Sequence, residues 1–325
     1  MGSLPHVIED FVGFLQLYSD GSICRINDIK FKDSIVEDNS VLYKDSLFNQ
    51  SFDLYLRIFK PQLPSSDSDL ITKMPLVMFF HGGGFCFGSR TWPHVHNCCV
   101  RLAFGLRAVV LAPDYRLSPE HRLPAALDDA VEAVRWVQRV SSTGEDAWLN
   151  GGDVDFDRVF IMGDSSGGNI AHHLAVRFGP EPRDLDPTRV RGYILLAPFF
   201  GGEVRTDSEE GPREEVLSLE ILDRFWRLSI PVGKNRDHPL VNPFGPESPD
   251  VGQVKLDPIL VMVGGRELLK DRAKHYAEKL KELGKNIEYV EFEGRQHGFF
   301  SHDSYSDVAQ EAVQIIQRFL LQNST

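Results

Sequence analysis

Residues Gly163-Asp164-Ser165-Ser166-Gly167 place a serine between two glycines, directly after the apolar run Val159-Phe160-Ile161-Met162 and before a helix-like stretch through Asn169, Ile170 and Leu174. A serine hydroxyl is a weak nucleophile at neutral pH, and a tight strand-to-helix turn exposes it, with small residues two positions either side letting the chain turn that sharply. A second buried-strand pattern, Leu76-Val77-Met78-Phe79-Phe80, runs into His81-Gly82-Gly83-Gly84. The N–H groups of Gly83 and Gly84, with that of Ser166, suit the oxyanion of a tetrahedral acyl-transfer intermediate, where one such donor contributes about 3–4 kcal/mol. A phosphate cradle is disfavoured: no Lys-Ser/Thr pair follows and the G-x-G-x-x-G spacing is missing. Near the C-terminus, His297 stands in Gln296-His297-Gly298-Phe299, just past the alternating strand from Ile287 to Phe292, where open α/β sheets place their working loops. The strand before it, Ile259 to Val263, runs into Gly264-Gly265-Arg266-Glu267-Leu268-Leu269-Lys270-Asp271, so two acids, Glu267 and Asp271, compete to orient the histidine.

These motifs, together with Asp114-Tyr115-Arg116-Leu117-Ser118-Pro119-Glu120 and Pro124-Ala125-Ala126, resemble the α/β-hydrolases of the hormone-sensitive-lipase branch and most closely the plant carboxylesterases, over nearly the whole chain. The resemblance implies a catalytic set of Ser165, Glu267 and His297 in the chain order serine, acid, histidine. The family carries Asp in a Gly-x-x-Asp-x-Leu-x-Asp arrangement; this chain has Glu267 at the acid position and Asp271 at the second acid, which is read as a helix-start or loop-orienting residue. Either carboxylate can hold the imidazole tautomer and stabilise the imidazolium. The runs around Phe79–His94, Phe199–Glu203, Asp223–Ser229 and Gly265–Arg272 are similar to those of plant carboxylesterases that hydrolyse strigolactones, which implies an ester substrate bearing a butenolide and no metal or organic cofactor. Two other activities occur among similar proteins: hormone reception of the gibberellin-receptor type, which lacks the catalytic histidine, and elimination by 2-hydroxyisoflavanone dehydratases. Asp114 and Arg116 are read as a pair fixing loops beneath the site.

The elements that must position these residues alternate. Strands are predicted at about 40–47 and 52–59, the second with period-two alternation, and a Pro/Ser/Asp-rich connection over 61–69 follows. Strands near Leu76, Ala108–Ala112, Val159, Gly192–Leu196, Ile259 and Ile287 then interleave with helices at Pro124–Val140, from Gly168, at Arg272–Leu283 and at Asp307–Leu321. That order predicts a single α/β-hydrolase-fold domain over 1–325, a mostly parallel central sheet flanked by helices. Two segments stand outside the alternation and are expected to form a helical cap: residues 1–20, where Val7, Ile8, Phe11, Val12, Phe14 and Leu15 suggest an apolar helical face, and residues 203–246, with Leu217, Leu219, Ile221, Leu222, Phe225, Trp226 and Leu228. Phe11, Phe14, Phe85, Phe225 and Trp226 are the candidate substrate contacts, since apolar walls hold a hydrophobic ester and exclude water. His94, His96, Cys98 and Cys99 read as one wall of a helix rather than a metal cluster, because no second ligand group of matching spacing follows.

Composition bounds the partners. A formal net charge of −12 over 325 residues disfavours nucleic acid and anionic membrane surfaces, which need basic patches. The segment Met1 to His6 lacks a basic and an apolar signal region, His6 stands where a myristoylation motif wants Ser or Thr, and no stretch is long and apolar enough to span a bilayer. Four cysteines without framework spacing fit free thiols in a cytoplasmic setting, with nuclear entry left open. The partner implied is a small-molecule ester; a homodimer is left open as the assembly.

Overall fold

The computed structural model describes residues 4–11, 14–26, 31, 34–37, 39–62, 73–179, 182–211, 214 and 217–324. Val12 and residues 63–69 of the connection lie outside the described residues. The chain separates into two compact units, residues 1–35 and 36–325.

The first unit corrects the expected N-terminal helix. It is a three-stranded antiparallel sheet of β1 (Val7–Phe11), β2 (Leu15–Tyr18) and β3 (Ile23–Arg25), with Phe11 opposite Leu15 and Leu17 opposite Ile23. The spacing of Val7, Ile8, Phe11, Phe14 and Leu15 fits a helix for barely two turns. The Asp20-Gly21 turn, with Gly21 at φ +84°, then reverses the chain, and antiparallel pairing satisfies the backbone groups a short isolated helix would leave open.

The second unit holds an eight-stranded sheet. Its strands are β4 (Val41–Asn49), β5 (Leu54–Pro61), β6 (Met74–Phe80), β7 (Val109–Pro113), β8 (Val154–Asp164), β9 (Val190–Leu196), β10 (Ile259–Gly264) and β11 (Ile287–Phe292), in the order β11-β10-β9-β8-β6-β7-β5-β4. Only β5 runs against its neighbours; from β7 to β11 every pairing is parallel. Parallel pairs need crossovers, which the sequence supplies as α1 (Pro93–Leu106), α2 (Ala125–Thr143), α3 (Ser166–Phe178) and α6 (Lys270–Glu282), while α8 (Asp307–Gln322) follows the last strand. Two short segments are helical as well, α4 (Asp207–Glu210) and α5 (Leu219–Ser229) in the insertion after β9, and α7 (Phe299–His302) follows β11.

Alternation along the strands divides the core. Leu76, Met78 and Phe80 of β6 pack with α2, α3 and α6, whereas Val77 and Phe79 point to the opposite face, with α1 and α8. Because both faces are covered, the central strands are continuously apolar rather than alternating, as the runs at 76–80 and 159–162 suggested. The expected helix at His94 to Cys99 is α1, which buries His96, Cys98 and Cys99. Chain order passes from β6 to β7 on one side and then to β8 on the other, so the sheet has a switch point at the carboxyl ends of β6 and β8, where open α/β sheets bind ligands.

Candidate active site

Register brings the first two motifs together. Phe80 of β6 is paired with Gly163 of β8, so the glycine loop and the serine turn leave the sheet side by side. Ser165 adopts φ +56° and ψ −113°, a conformation that costs a non-glycine residue about 1–3 kcal/mol and persists because its surroundings hold it. The Ser165 N–H donates to the Leu196 carbonyl at 2.8 Å, and the Ser165 carbonyl accepts from Phe199 N–H at 2.9 Å. Gly163 and Gly167 are required by close approach: a Cβ on Gly163 would lie 2.0 Å from the Gly167 carbonyl oxygen, and one on Gly167 would lie 2.0 Å from that of Phe80. Ser166 opens α3, the position expected of a backbone oxyanion donor.

The glycine loop is anchored from below. The Tyr115 hydroxyl donates to the His81 carbonyl at 2.9 Å, lies 3.3 Å from the Ser166 hydroxyl, and its ring stacks on His81 with centroids 4.3 Å apart. Burial pushes His81 below its ordinary pKa, so its ring is neutral and its Nδ1–H donates to the Gly82 carbonyl at 2.8 Å. Gly84, at φ +59°, has no room for a side chain, because a Cβ there would meet the Phe225 ring at 2.3 Å. The expected Asp114–Arg116 pair does not form. Arg90 of the glycine-loop segment binds Asp114 through its side chain and through its N–H at 2.7 Å, while Arg116 binds Asp129 of α2, Nε to Oδ1 at 3.0 Å. Each residue found an oppositely charged partner from another element, which ties down more chain than a contact between near neighbours would.

At the other side of the sheet, β10 and β11 pair in parallel and end together, Gly264 opposite Phe292. Gly265 N–H donates to the Phe292 carbonyl at 2.8 Å and Arg266 N–H to the Arg295 carbonyl at 2.9 Å, so the two following turns are joined before either reaches its functional residue. His297 Nδ1 then lies 2.6 Å from Glu267 Oε2, and Glu267 Oε1 accepts from the Gly264 N–H. Glu267 is 1 % exposed. Burial raises its carboxyl pKa; burial also lowers His297, but the Glu267 hydrogen bond and charge, with Asp164 and Glu214, outweigh this and raise the imidazole. The pair therefore holds a proton more tightly than either group alone. The histidine turn is tied to the serine turn as well, since the buried Ser301 hydroxyl donates to Asp164 Oδ2 at 2.7 Å. Asp271 takes the helix-start role expected of it: it lies in the first turn of α6 and accepts from Ser208 N–H at 2.7 Å.

The aromatic candidates separate. Trp226 stacks on Phe199 with centroids 3.8 Å apart and adjoins Phe85 at 6.5 Å; Phe85 and Trp226 are 0 % and 2 % exposed. Phe225 is half-buried, lies over Gly84 and meets the Phe87 ring edge-on at 5.9 Å. Phe11 is buried and Phe14 is 40 % exposed in the N-terminal unit. Sequence reasoning missed Glu214, whose two oxygens accept backbone N–H groups from Leu268 and, at 2.8 Å, from His297. It missed Tyr115 too, taken only as part of a scaffold motif.

An α/β-hydrolase-fold family model matches residues 77–301, which include both glycine motifs, Glu267 and His297. The chain belongs to the α/β-hydrolase family. Carboxylesterase 20 of Arabidopsis thaliana is 38 % identical over 313 residues, covering 91 % of this chain and 92 % of its own. The gibberellin receptor GID1 of Oryza sativa subsp. japonica is 37 % identical over 236 residues, 72 % of this chain and 64 % of the receptor. Among solved structures, the thermophilic carboxylesterase EstE1 from a metagenomic library superposes with a TM-score of 0.73 at 27 % identity, over 89 % of this chain and 92 % of that one. With plant carboxylesterases as sequence relatives and esterases as structural neighbours, this α/β-hydrolase is a carboxylic ester hydrolase. Among the described residues, no helix is long and apolar enough to cross a membrane.

Proposed function

We propose that this α/β-hydrolase works as a serine carboxylesterase through Ser165, Glu267 and His297, and that its substrate is a hydrophobic small-molecule ester of the strigolactone class. The observation that carries the catalytic reading is the 2.6 Å contact between His297 Nδ1 and Glu267 Oε2. With Nδ1–H given to the carboxylate, Nε2 is left as the basic nitrogen. It takes the proton of the Ser165 hydroxyl as Oγ attacks the ester carbonyl. Charge collects on the carbonyl oxygen, where the Gly83, Gly84 and Ser166 N–H groups stabilise it, and Glu267 stabilises the imidazolium. The proton then passes from Nε2 to the departing alkoxide or enolate, leaving an acyl group on Ser165. Water, deprotonated by the same nitrogen, attacks the acyl carbon and frees the serine.

The strigolactone reading is supported by the motif resemblance at 79–94 and 265–272 and by the aromatic cover of Phe225 and Phe87 over the glycine loop. The test is incubation with a panel of strigolactones and simple esters, with mass detection of products. The expected result is release of the butenolide half by wild type and none by Ser165→Ala, with a fluorophosphonate probe labelling only wild type. Labelling of the Ala variant sinks the nucleophile assignment. Turnover of simple esters alone sinks the substrate assignment and leaves the esterase standing, while stoichiometric ligand binding without product supports a receptor.

A further inference from the structure

We propose that Glu214, contributed by the insertion after β9, is a positioning residue for the catalytic histidine and acid; this rests on the catalytic reading above. Its side chain is 8 % exposed. One carboxylate oxygen accepts from the N–H of Leu268, the residue after Glu267, and the other accepts from the N–H of His297 itself, at 2.8 Å. A carboxylate accepting two backbone N–H groups makes charge-assisted bonds, stronger and shorter than neutral ones. The two loops that must present Glu267 to His297, joined at their start by the Gly265–Phe292 and Arg266–Arg295 backbone bonds, are thus bridged twice more, by their own side chains and by a second carboxylate holding their main chains.

Beyond the Arg266–Arg295 backbone bond, the side-chain contact alone would leave each loop free to rock about it. A fixed distance between the two backbones removes that freedom and sets the direction of the imidazole. The insertion therefore completes the charge-handling half of the site, beyond roofing it. Glu214 also adds negative charge beside the imidazole. The charged groups acting on His297 are Glu267 from the turn before α6, Asp164 from the end of β8, and Glu214 from the insertion. Each favours the imidazolium formed in the transition state, and Glu214 does so without occupying either ring nitrogen.

The experiment compares wild type, Glu214→Gln, Glu214→Ala and Ser165→Ala on p-nitrophenyl acetate. The rate is expressed per folded molecule, with the folded fraction taken from the amplitude of the cooperative melt. Glu214→Gln keeps the shape but turns an NH2 group toward a donor N–H and removes the charge. It is expected to lower kcat about tenfold or more with KM within about twofold, because displacement of a catalytic group by around 1 Å costs up to about a hundredfold. The acidic limb of its kcat/KM profile moves to lower pH, since a neighbour that raised His297 is gone; a purely structural tether would leave that limb in place. Glu214→Ala falls further. A folded Glu214→Gln with wild-type kcat and an unmoved acidic limb, beside an inactive Ser165→Ala, overturns the inference and spares the catalytic reading. Activity surviving in Ser165→Ala overturns both.

Discussion

The two halves of the insertion after β9 do different physical work. Its first half, through Glu214, is docked by polar contacts onto the segment that carries Glu267. Ser208 donates its hydroxyl to the Leu268 carbonyl at 2.8 Å, Glu209 binds Arg272 at 2.5 Å, and Glu214 bridges Leu268 and His297. The second half, from Leu217 through α5, lays apolar side chains over the glycine loop. Its Phe225 fills the space above Gly84, Trp226 stacks on Phe199, and Arg122 holds its far end by donating to the Ile230 carbonyl at 2.7 Å. Directional hydrogen bonds fix angles and distances, which proton transfer needs; apolar packing fixes volume and dryness, which an ester pocket needs. The first half should therefore govern kcat on every substrate, and the second should govern which substrates are taken.

The largest effect is expected where the polar half converges, at the acid. Glu267→Gln removes the charge that stabilises the imidazolium and should lower kcat on the order of 10³–10⁴-fold with little change in KM. Asp271→Asn, which loses only part of its bond to Ser208, should cost far less. Steady-state kinetics of both variants check this, and a reversed ranking would make Asp271 the acid and leave the polar half supporting the wrong residue. Next comes Glu209→Ala. Glu209 is 2 % exposed and its loss leaves Arg272 uncompensated, so unfolding free energy should drop by about 3–5 kcal/mol. A denaturant titration showing no loss would mean that the polar half is not firmly docked.

Much of this was legible from local pattern, and the boundary of legibility is physical. Runs such as 76–80 and 159–162 are apolar because both sheet faces are covered, and Gly163 and Gly167 are glycines because a Cβ on either would meet a carbonyl oxygen at 2.0 Å, so short-range sequence recorded them. Glu214 is different: its partners lie 54 and 83 residues away, and nothing nearby marks one glutamate among several as buried. For the same reason Asp114 and Arg116 looked like a pair, although their partners, Arg90 and Asp129, come from other elements. In the N-terminal unit the spacing of six apolar residues pointed to a helical face, and the Asp20-Gly21 turn decided for strands.

The pH profile sharpens the polar half. Glu267, Asp164 and Glu214 raise His297 above its ordinary pKa of 6.5 despite the opposing effect of burial. The proposed mechanism needs Nε2 unprotonated. A raised pKa keeps the inactive imidazolium to higher pH, so kcat/KM should climb with pH through a midpoint above 6.5. Removing the Glu267 charge should bring that midpoint down. A wild-type midpoint below the ordinary imidazole value would show that burial, rather than the three carboxylates, controls the histidine.

The smallest effect tests the apolar half. Phe225→Ala opens the space over Gly84 and removes the edge contact with Phe87, without touching Ser165, Glu267 or His297. A bulky lipophilic ester loses a ring's worth of apolar contact, about 1–3 kcal/mol, so its kcat/KM should fall roughly tenfold or somewhat more. An acetate too small to reach that ring has nothing to lose and should change less than about threefold. The check is the ratio of the two specificity constants, which cancels any general loss of folded enzyme. If both esters fall equally, Phe225 is holding the glycine loop in shape, and the division between a half that sets rate and a half that sets substrate does not hold.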